Sequence, residues 1–230
     1  MENKTVTHVL FDVDGLLLDT ERLYTVATQN VCDEFGKQYT WDIKKQVMGM
    51  KESMSAKKLV ELLELPLTVD EYLTRIHKEY DRLFPTVPLL PGADKLVRHL
   101  HKHNVPIAVV TGSNAHSFEL KTRNHKEYFS LFHHQVLCGD DPDVKHGKPH
   151  PDGFQVGAKR FNNPDLKPEN VLVFEDAMNG VEASHAAGMP CVWIPPAEQD
   201  KSILEGKTEL ILNTLEEFIP EMFGLPPYDS

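Results

Sequence analysis

Apolar and polar positions along the chain follow two different rhythms. The first apolar run, Val6 to Phe11, is short and dominated by Val, Leu and Phe, the pattern of a strand buried on both faces of a parallel sheet. It ends at Asp12-Val13-Asp14-Gly15. From about Arg22 to Pro88 the pattern is helical, without a convincing strand. One helix closes at Gly36, and Leu59, Leu62 and Leu63 recur at helical spacing within Ser53 to Glu64. Thr68-Val69-Asp70-Glu71 is a capping box that opens a helix running to about Phe84. Phe84-Pro85-Thr86-Val87-Pro88 then breaks the helix and reads as a linker.

Beyond Pro91-Gly92 the rhythm becomes an alternation. A helix to about His103 precedes a strand at Val105 to Val110, and a helix at Ala115 to Asn124 precedes a strand at Gln135 to Cys138. Helix Pro151 to Phe161 leads to strand Val171 to Phe174, and helix Asn179 to Ala187, closed by Gly188, leads to strand Cys191 to Ile194. A weaker strand at Glu209 to Leu212 and a short helix at Leu215 to Phe218 finish the pattern. Alternating strands and helices predict an α/β fold, a Rossmann-like parallel sheet with helices on both faces. The all-helical block is an insertion after the first strand. The expected division is 1–19 with 88–230 as the sheet domain and 20–87 as a small helical domain.

Composition narrows the partners. The 230 residues include 35 acidic and 24 basic side chains, a net charge of −11 that argues against a nucleic acid or an anionic membrane as the main partner. Three cysteines, Cys32, Cys138 and Cys191, are odd in number and far apart, which fits a reducing compartment and no disulfide framework. The opening Met1-Glu2-Asn3-Lys4 lacks a signal-peptide layout, and no run approaches the roughly 18 apolar residues of a membrane span. A cytoplasmic monomer is expected.

The candidate chemistry sits where strands end. Asp12 and Asp14 leave the first strand, Thr111-Gly112-Ser113-Asn114 the second, and Glu175-Asp176 the strand at 171–174, while Lys148 stands in Gly147-Lys148-Pro149 before a helix. In a parallel sheet these ends share one edge, where open α/β sheets bind ligands. Two acids two residues apart repel unless a cation joins them, and oxygen-seeking Mg²⁺ is the usual solution. Thr111 offers a hydroxyl and Gly112 an unobstructed N–H to phosphate oxygens, and Lys148 a positive charge. Each piece also has an ordinary reading as a turn, a solvated charge or a helix start. Four coincidences at the correct strand ends favour a site.

This ordered set resembles the haloacid dehalogenase superfamily, and the likeness covers essentially the whole chain. Asp12 to Glu21 and Glu175-Asp176-Ala177-Met178-Asn179-Gly180 are similar to the branch containing β-phosphoglucomutase and small sugar or nucleotide phosphatases. The resemblance implies that Asp12 attacks phosphorus, that Asp14 protonates the leaving oxygen and then activates water, and that Thr111, Gly112 and Lys148 hold the phosphoryl oxygens. It also implies Mg²⁺ held by Asp12, Asp176 and the Asp14 carbonyl, with Glu175 in support, and a helical cap that closes over the site. A true dehalogenase does not need the acid at Asp14, so that residue favours phosphoryl transfer. The implied substrate is a small phosphorylated metabolite, pseudouridine 5'-phosphate foremost, with sugar phosphates, glycerol phosphate and flavin mononucleotide as alternatives. A catalytically silent binding protein is the reading from another class.

Candidates for cap specificity are Gly49, Lys51 and Glu52. A mutase of this branch carries an arginine where Glu52 stands and a histidine where Tyr24 stands, so both departures favour hydrolysis. His150 and Gly153 replace an acid and a bulky apolar residue common among relatives, and His150 is a candidate for tuning pH dependence. His99 and His103 have a zinc-compatible spacing but no evident third ligand, which favours an ordinary helix face. Ser113 with His116 lacks the surroundings of a hydrolase nucleophile.

Overall fold

The computed structural model of the chain describes residues 6–47, 52–204 and 206–229. The chain divides into two compact units, residues 1–19 with 88–230 and residues 20–87.

The larger unit is built on six parallel strands: β1 (His8–Phe11), β2 (Ile107–Thr111), β3 (His134–Leu137), β4 (Val171–Glu175), β5 (Cys191–Trp193) and β6 (Leu210–Ile211). Their order across the sheet is β3-β2-β1-β4-β5-β6. The predicted Rossmann-like class is therefore observed, with β1 and β4 at the point where the strand order reverses. Strand β2 starts two residues later than the sequence pattern suggests because Pro106 has no N–H for a ladder, and it runs on through Thr111.

Alternation along the strands assigns the two faces. Leu10, Val110, Val136 and Val173 join Phe154, Val181 and Trp193 in one fully buried core. On that face α8 (Asp152–Lys159) packs on β1, β2 and β3, and α9 (Met178–Ala186) on β4 and β5. Phe11 points the other way, stacks on its register partner Phe174 at 4.9 Å between ring centroids, and Phe174 meets Phe218 edge-on at 4.8 Å. Helix α5 (Ala93–Lys102) packs against β2 and against the 3₁₀ turn Leu215–Glu217, which takes the place of the expected C-terminal helix. The remaining helices of this unit, α6 (Ala115–Thr122) and α7 (Lys126–Phe129), lie between β2 and β3, and α7 was not anticipated.

Helix α8 lies unusually close to the sheet. A Cβ on Gly153 would stand 2.7 Å from Cys138 Sγ, and one on Gly157 2.8 Å from Val110 Cγ2. Two glycines four apart share one helix face, and their lack of a side chain is what leaves room for Cys138 and Val110 against it.

After β1 the chain turns at Gly15, whose φ of 78° suits glycine. Val13 O accepts from the N–H groups of Leu17 and Leu18, both at 3.0 Å. Leu18 then bridges Leu89 in antiparallel fashion, with Asp19 N donating to Pro88 O (3.0 Å) and Leu90 N to Leu17 O (2.9 Å).

The smaller unit contains α1 (Thr20–Asp33), α2 (Trp41–Lys44), α3 (Glu52–Leu62) and α4 (Val69–Leu83), followed by a 3₁₀ turn at Phe84–Thr86. The expected capping box is present: Glu71 N donates to Thr68 Oγ1 (3.2 Å) and Thr68 N to Glu71 Oε2 (2.8 Å). Ala27, Val31, Leu59, Leu63, Tyr72 and Ile76 form its core. Tyr24, Tyr80 and Phe84 cluster beside it at centroid separations of 4.7 to 5.2 Å. Among the described residues no helix is long and apolar enough to cross a membrane.

Candidate active site

Adjacent strands β1 and β4 deliver Asp12, Glu175 and Asp176 to one edge, where all three are buried and one oxygen of each lies within 4.8 Å of the others. Glu175 is the last residue of β4 and only 1 % exposed. Its Oε2 accepts from the N–H groups of Asp176 (3.1 Å) and Ala177 (3.2 Å). The space its carboxylate fills is the space a side chain at position 180 would need, since a Cβ on Gly180 would lie 1.9 Å from Glu175 Cδ. Trp193 Nε1 donates to Asp176 O at 2.8 Å and fixes the turn that follows.

Lys148 closes this group. Its ammonium donates to Asp12 Oδ1 and Glu175 Oε1, both at 2.5 Å, and to Val110 O at 3.2 Å, which uses its three protons. Burial pushes the Asp12 carboxyl up to about 7; Lys148 pulls it down, while Glu175 and Asp14 add to the rise. Burial also works against the Lys148 ammonium, but Asp12 and Glu175 outweigh it and hold the lysine well above its usual value.

Asp14 belongs to a second, separate cluster. Its Oδ1 accepts from Lys121 Nζ at 2.6 Å, and its Oδ2 from Ser113 Oγ at 2.9 Å and Thr111 Oγ1 at 3.3 Å. Lys121 also donates to Ser113 Oγ at 2.9 Å, with its side chain only 1 % exposed. Among the described residues the two clusters together hold four carboxylates and two ammonium groups, a formal deficit of two positive charges.

Asp12, Asp14, Thr111, Lys148, Glu175 and Asp176 are thus brought to the β1–β2–β4 edge. The Thr111 hydroxyl addresses Asp14. A Cβ on Gly112 would meet nothing within 4 Å, so its backbone borders open space. Gly49 and Lys51 lie outside the described residues. Glu52, in the smaller unit, is exposed and sits 2.9 Å from His77 Nε2. His150 addresses Asp152 at 2.8 Å.

Sequence reading missed Lys121, and with it the part Ser113 plays. A signal existed: Phe118, Lys121 and Thr122 share the buried face of α6, and a lysine on such a face needs an anion. The expectation that His99 and His103 lack a third ligand also fails, because Asp229 lies 3.1 Å from His103 Nε2. Lys102 holds the other oxygen of Asp229 at 2.7 Å, and His99 Nε2 engages Pro226 O at 2.9 Å. That cluster fastens the C-terminal tail to α5.

A family profile described as "Haloacid dehalogenase-like hydrolase" matches residues 9–194. The chain is 46 % identical to a Drosophila melanogaster protein named "Probable pseudouridine-5'-phosphatase", over 99 % of each chain. It is 43 % identical to "(DL)-glycerol-3-phosphatase 2" of Arabidopsis thaliana, over 98 % of this chain and 94 % of that one. A crystal structure of a hydrolase from Deinococcus radiodurans, solved with phosphate and sodium bound, superposes with a TM-score of 0.79 at 23 % identity, covering 97 % of this chain and 99 % of that one. A parallel sheet whose order reverses beside Asp12 and Glu175, a buried lysine joining them and these matches over nearly the whole length lead to one assignment: the chain belongs to the haloacid dehalogenase-like hydrolase family.

Proposed function

We propose that this chain is a Mg²⁺-dependent phosphomonoesterase that passes the phosphoryl group of a small ester first to Asp12 and then to water, with pseudouridine 5'-phosphate as its preferred substrate. The observation that carries this reading is the separation of two carboxylates into different surroundings. Asp12 is clamped by Lys148 among buried acids, and Asp14 by Lys121 among hydroxyls. Such different surroundings support different tasks for the two.

Lys148 holds Asp12 Oδ1, so attack on phosphorus falls to Oδ2. Lys148 remains beside the transferring group and stabilises its charge. Asp14 Oδ2 is the oxygen suited to take up and release a proton during turnover, because its partners Ser113 and Thr111 are hydroxyls able to donate or accept. Its Oδ1 faces an ammonium that only donates, which fixes the orientation. Asp14 gives its proton to the leaving oxygen and takes one from water in the second displacement.

The donor set suits Mg²⁺. Three buried carboxylates offer hard oxygen ligands, and a divalent ion would supply the two missing positive charges. Asp12, Asp176 and the Asp14 carbonyl would hold it, with Glu175 in support, and it would cancel the repulsion between nucleophile and anionic ester. Thr111, Gly112 and Lys148 would hold the phosphoryl oxygens, Lys148 by turning toward them the proton it otherwise gives Val110 O at 3.2 Å. Residues 20–87 would act as the cap that selects the leaving group, with Gly49, Lys51 and Glu52 as candidates. Work as a monomer in the cytoplasm, away from membranes and nucleic acid polymers, accords with three free thiols and the acidic balance.

The 43 % identical relative named for glycerol 3-phosphate supports that ester as the second reading. The test is phosphate release from pseudouridine 5'-phosphate, glycerol 3-phosphate and a sugar-phosphate panel, with and without Mg²⁺, beside Asp12→Asn. Preference for the nucleotide, lost in the variant, is expected. Preference for glycerol 3-phosphate would replace the substrate and keep the mechanism. Turnover by Asp12→Asn would overturn the mechanism.

A further inference from the structure

The turn that presents Lys148 carries a second cluster on its outer side. His146, His150 and Asp152 each place one ligand atom within 4.8 Å of the other two. Asp152 Oδ1 lies 2.8 Å from His150 Nδ1, and Oδ2 lies 3.3 Å from His146 Nδ1. The imidazole rings are 4.5 Å apart between centroids. The carboxylate is held in place by the backbone, since Oδ2 also accepts from His146 N at 2.9 Å and Lys145 N at 3.1 Å. Asp152 begins α8, which Gly153 and Gly157 seat tightly on the sheet.

We infer that His146, His150 and Asp152 form an open binding site for a zinc-class divalent cation, distinct from the buried carboxylate cluster. Two imidazoles and one carboxylate make a borderline-soft set that suits Zn²⁺ or Co²⁺ and is a poor one for Mg²⁺. Tetrahedral Zn²⁺ with bond lengths of about 2.0–2.1 Å places its ligand atoms roughly 3.3 Å apart. The His146 separation already equals that value, and the His150 separation, to the other carboxylate oxygen, is shorter at 2.8 Å. The chain supplies three ligands and solvent the fourth. Both rings coordinate through Nδ1 after their protons move to Nε2, so neutral imidazoles bind without net proton release. The His146 and His150 side chains are 67 % and 48 % exposed, which gives an ion direct access. The contrast with His99, His103 and Asp229 is the second cation: there Lys102 occupies the carboxylate, while no lysine or arginine pairs with Asp152 among the described residues.

The two histidines stand two residues on either side of Lys148 and Asp152 four beyond it, so an ion here ties both ends of the turn that delivers the lysine to Asp12 and Glu175. The test is equilibrium dialysis of the full chain against Zn²⁺ in excess Mg²⁺, with the His146→Ala/His150→Ala double variant and the single variant His146→Asn alongside. The wild type should retain one more equivalent of Zn²⁺ than either variant, and Co²⁺ should give it visible ligand-field bands that both lack. Melting in a chelator should be the same for all three, because both histidines are on the surface. Equal stoichiometry in all three proteins, or Co²⁺ bands that survive both changes, would overturn the inference.

Discussion

The Lys121 ammonium stands 2.6 Å from Asp14 Oδ1, at the end of a helix face that otherwise buries Phe118 and Thr122. The pair is asymmetric: the lysine is almost wholly enclosed, while the Asp14 side chain is 19 % exposed. Replacing the lysine leaves a carboxylate that water partly serves; replacing the aspartate leaves a buried cation. Lys121→Met should therefore fold, with kcat reduced about 100-fold or more as Asp14 loses its orientation and charge partner. Asp14→Ala should cost about 3–5 kcal/mol in stability besides abolishing turnover. Steady-state kinetics and thermal melting of the two variants check the asymmetry.

Asp12 gives a pH signature in the metal-free protein. Its folded value of about 7 lies above the ordinary 3.8, so between these two values the folded state binds the extra proton. The stabilising contribution is present below 3.8 and is lost as pH rises toward 7. Asp12→Asn removes the titration. In a chelator, the wild type should become less stable relative to Asp12→Asn as pH is raised through this window, and Mg²⁺ should restore it at alkaline pH if the proposed ligation holds. Melting curves of both proteins across pH, with and without Mg²⁺, measure this directly.

Of two glycines at the site, one should be sensitive to a methyl group and the other indifferent to it. Gly180→Ala drives a methyl group into the Glu175 carboxylate, which cannot move without releasing Lys148 and two backbone N–H groups. A loss of about 1–3 kcal/mol is expected, together with activity. Gly112→Ala meets nothing and should stay within about 0.5 kcal/mol of wild type. Denaturant unfolding of the pair distinguishes a packed position from an open one.

The opposite edge of the sheet should be sensitive to acid. His8 and His134 begin β1 and β3 and each packs edge-on against Phe161 at 4.7 Å. Burial lowers both histidines; His133 adds to the effect at His8, while at His134 burial outweighs the Gly157 carbonyl bond, with Arg160 and His133 adding to the fall. The unfolded chain therefore takes up protons first, so this contribution is complete above 6.5 and is lost as pH falls below it. Relative to His134→Gln, the wild type should lose stability on acidification below that value, as followed by melting temperature.

The sheet, the carboxylates at its strand ends and the Thr68 cap were legible because each is local or periodic. A capping box spans four residues, and a buried strand announces itself by its run of Val, Leu and Phe. Lys121 was not legible from composition, since its meaning lies in which side of α6 it occupies and in Asp14, 107 positions earlier. Asp229 was hidden for the same reason, as it meets His103 only because the tail returns to α5. The short helix α7 contains a single turn, too little for a period to show.

Leu18 and Leu89 bridge one another directly, although 70 residues of helical chain separate them. The two ends of the smaller unit are therefore neighbours on the same rim. An insert that enters and leaves through adjacent points imposes no stretch on its host. Such a junction makes the helical segment a cartridge: another sequence whose ends meet at a similar spacing can be spliced between Asp19 and Pro88 while the strands, their register and the acids at their ends stay as they are.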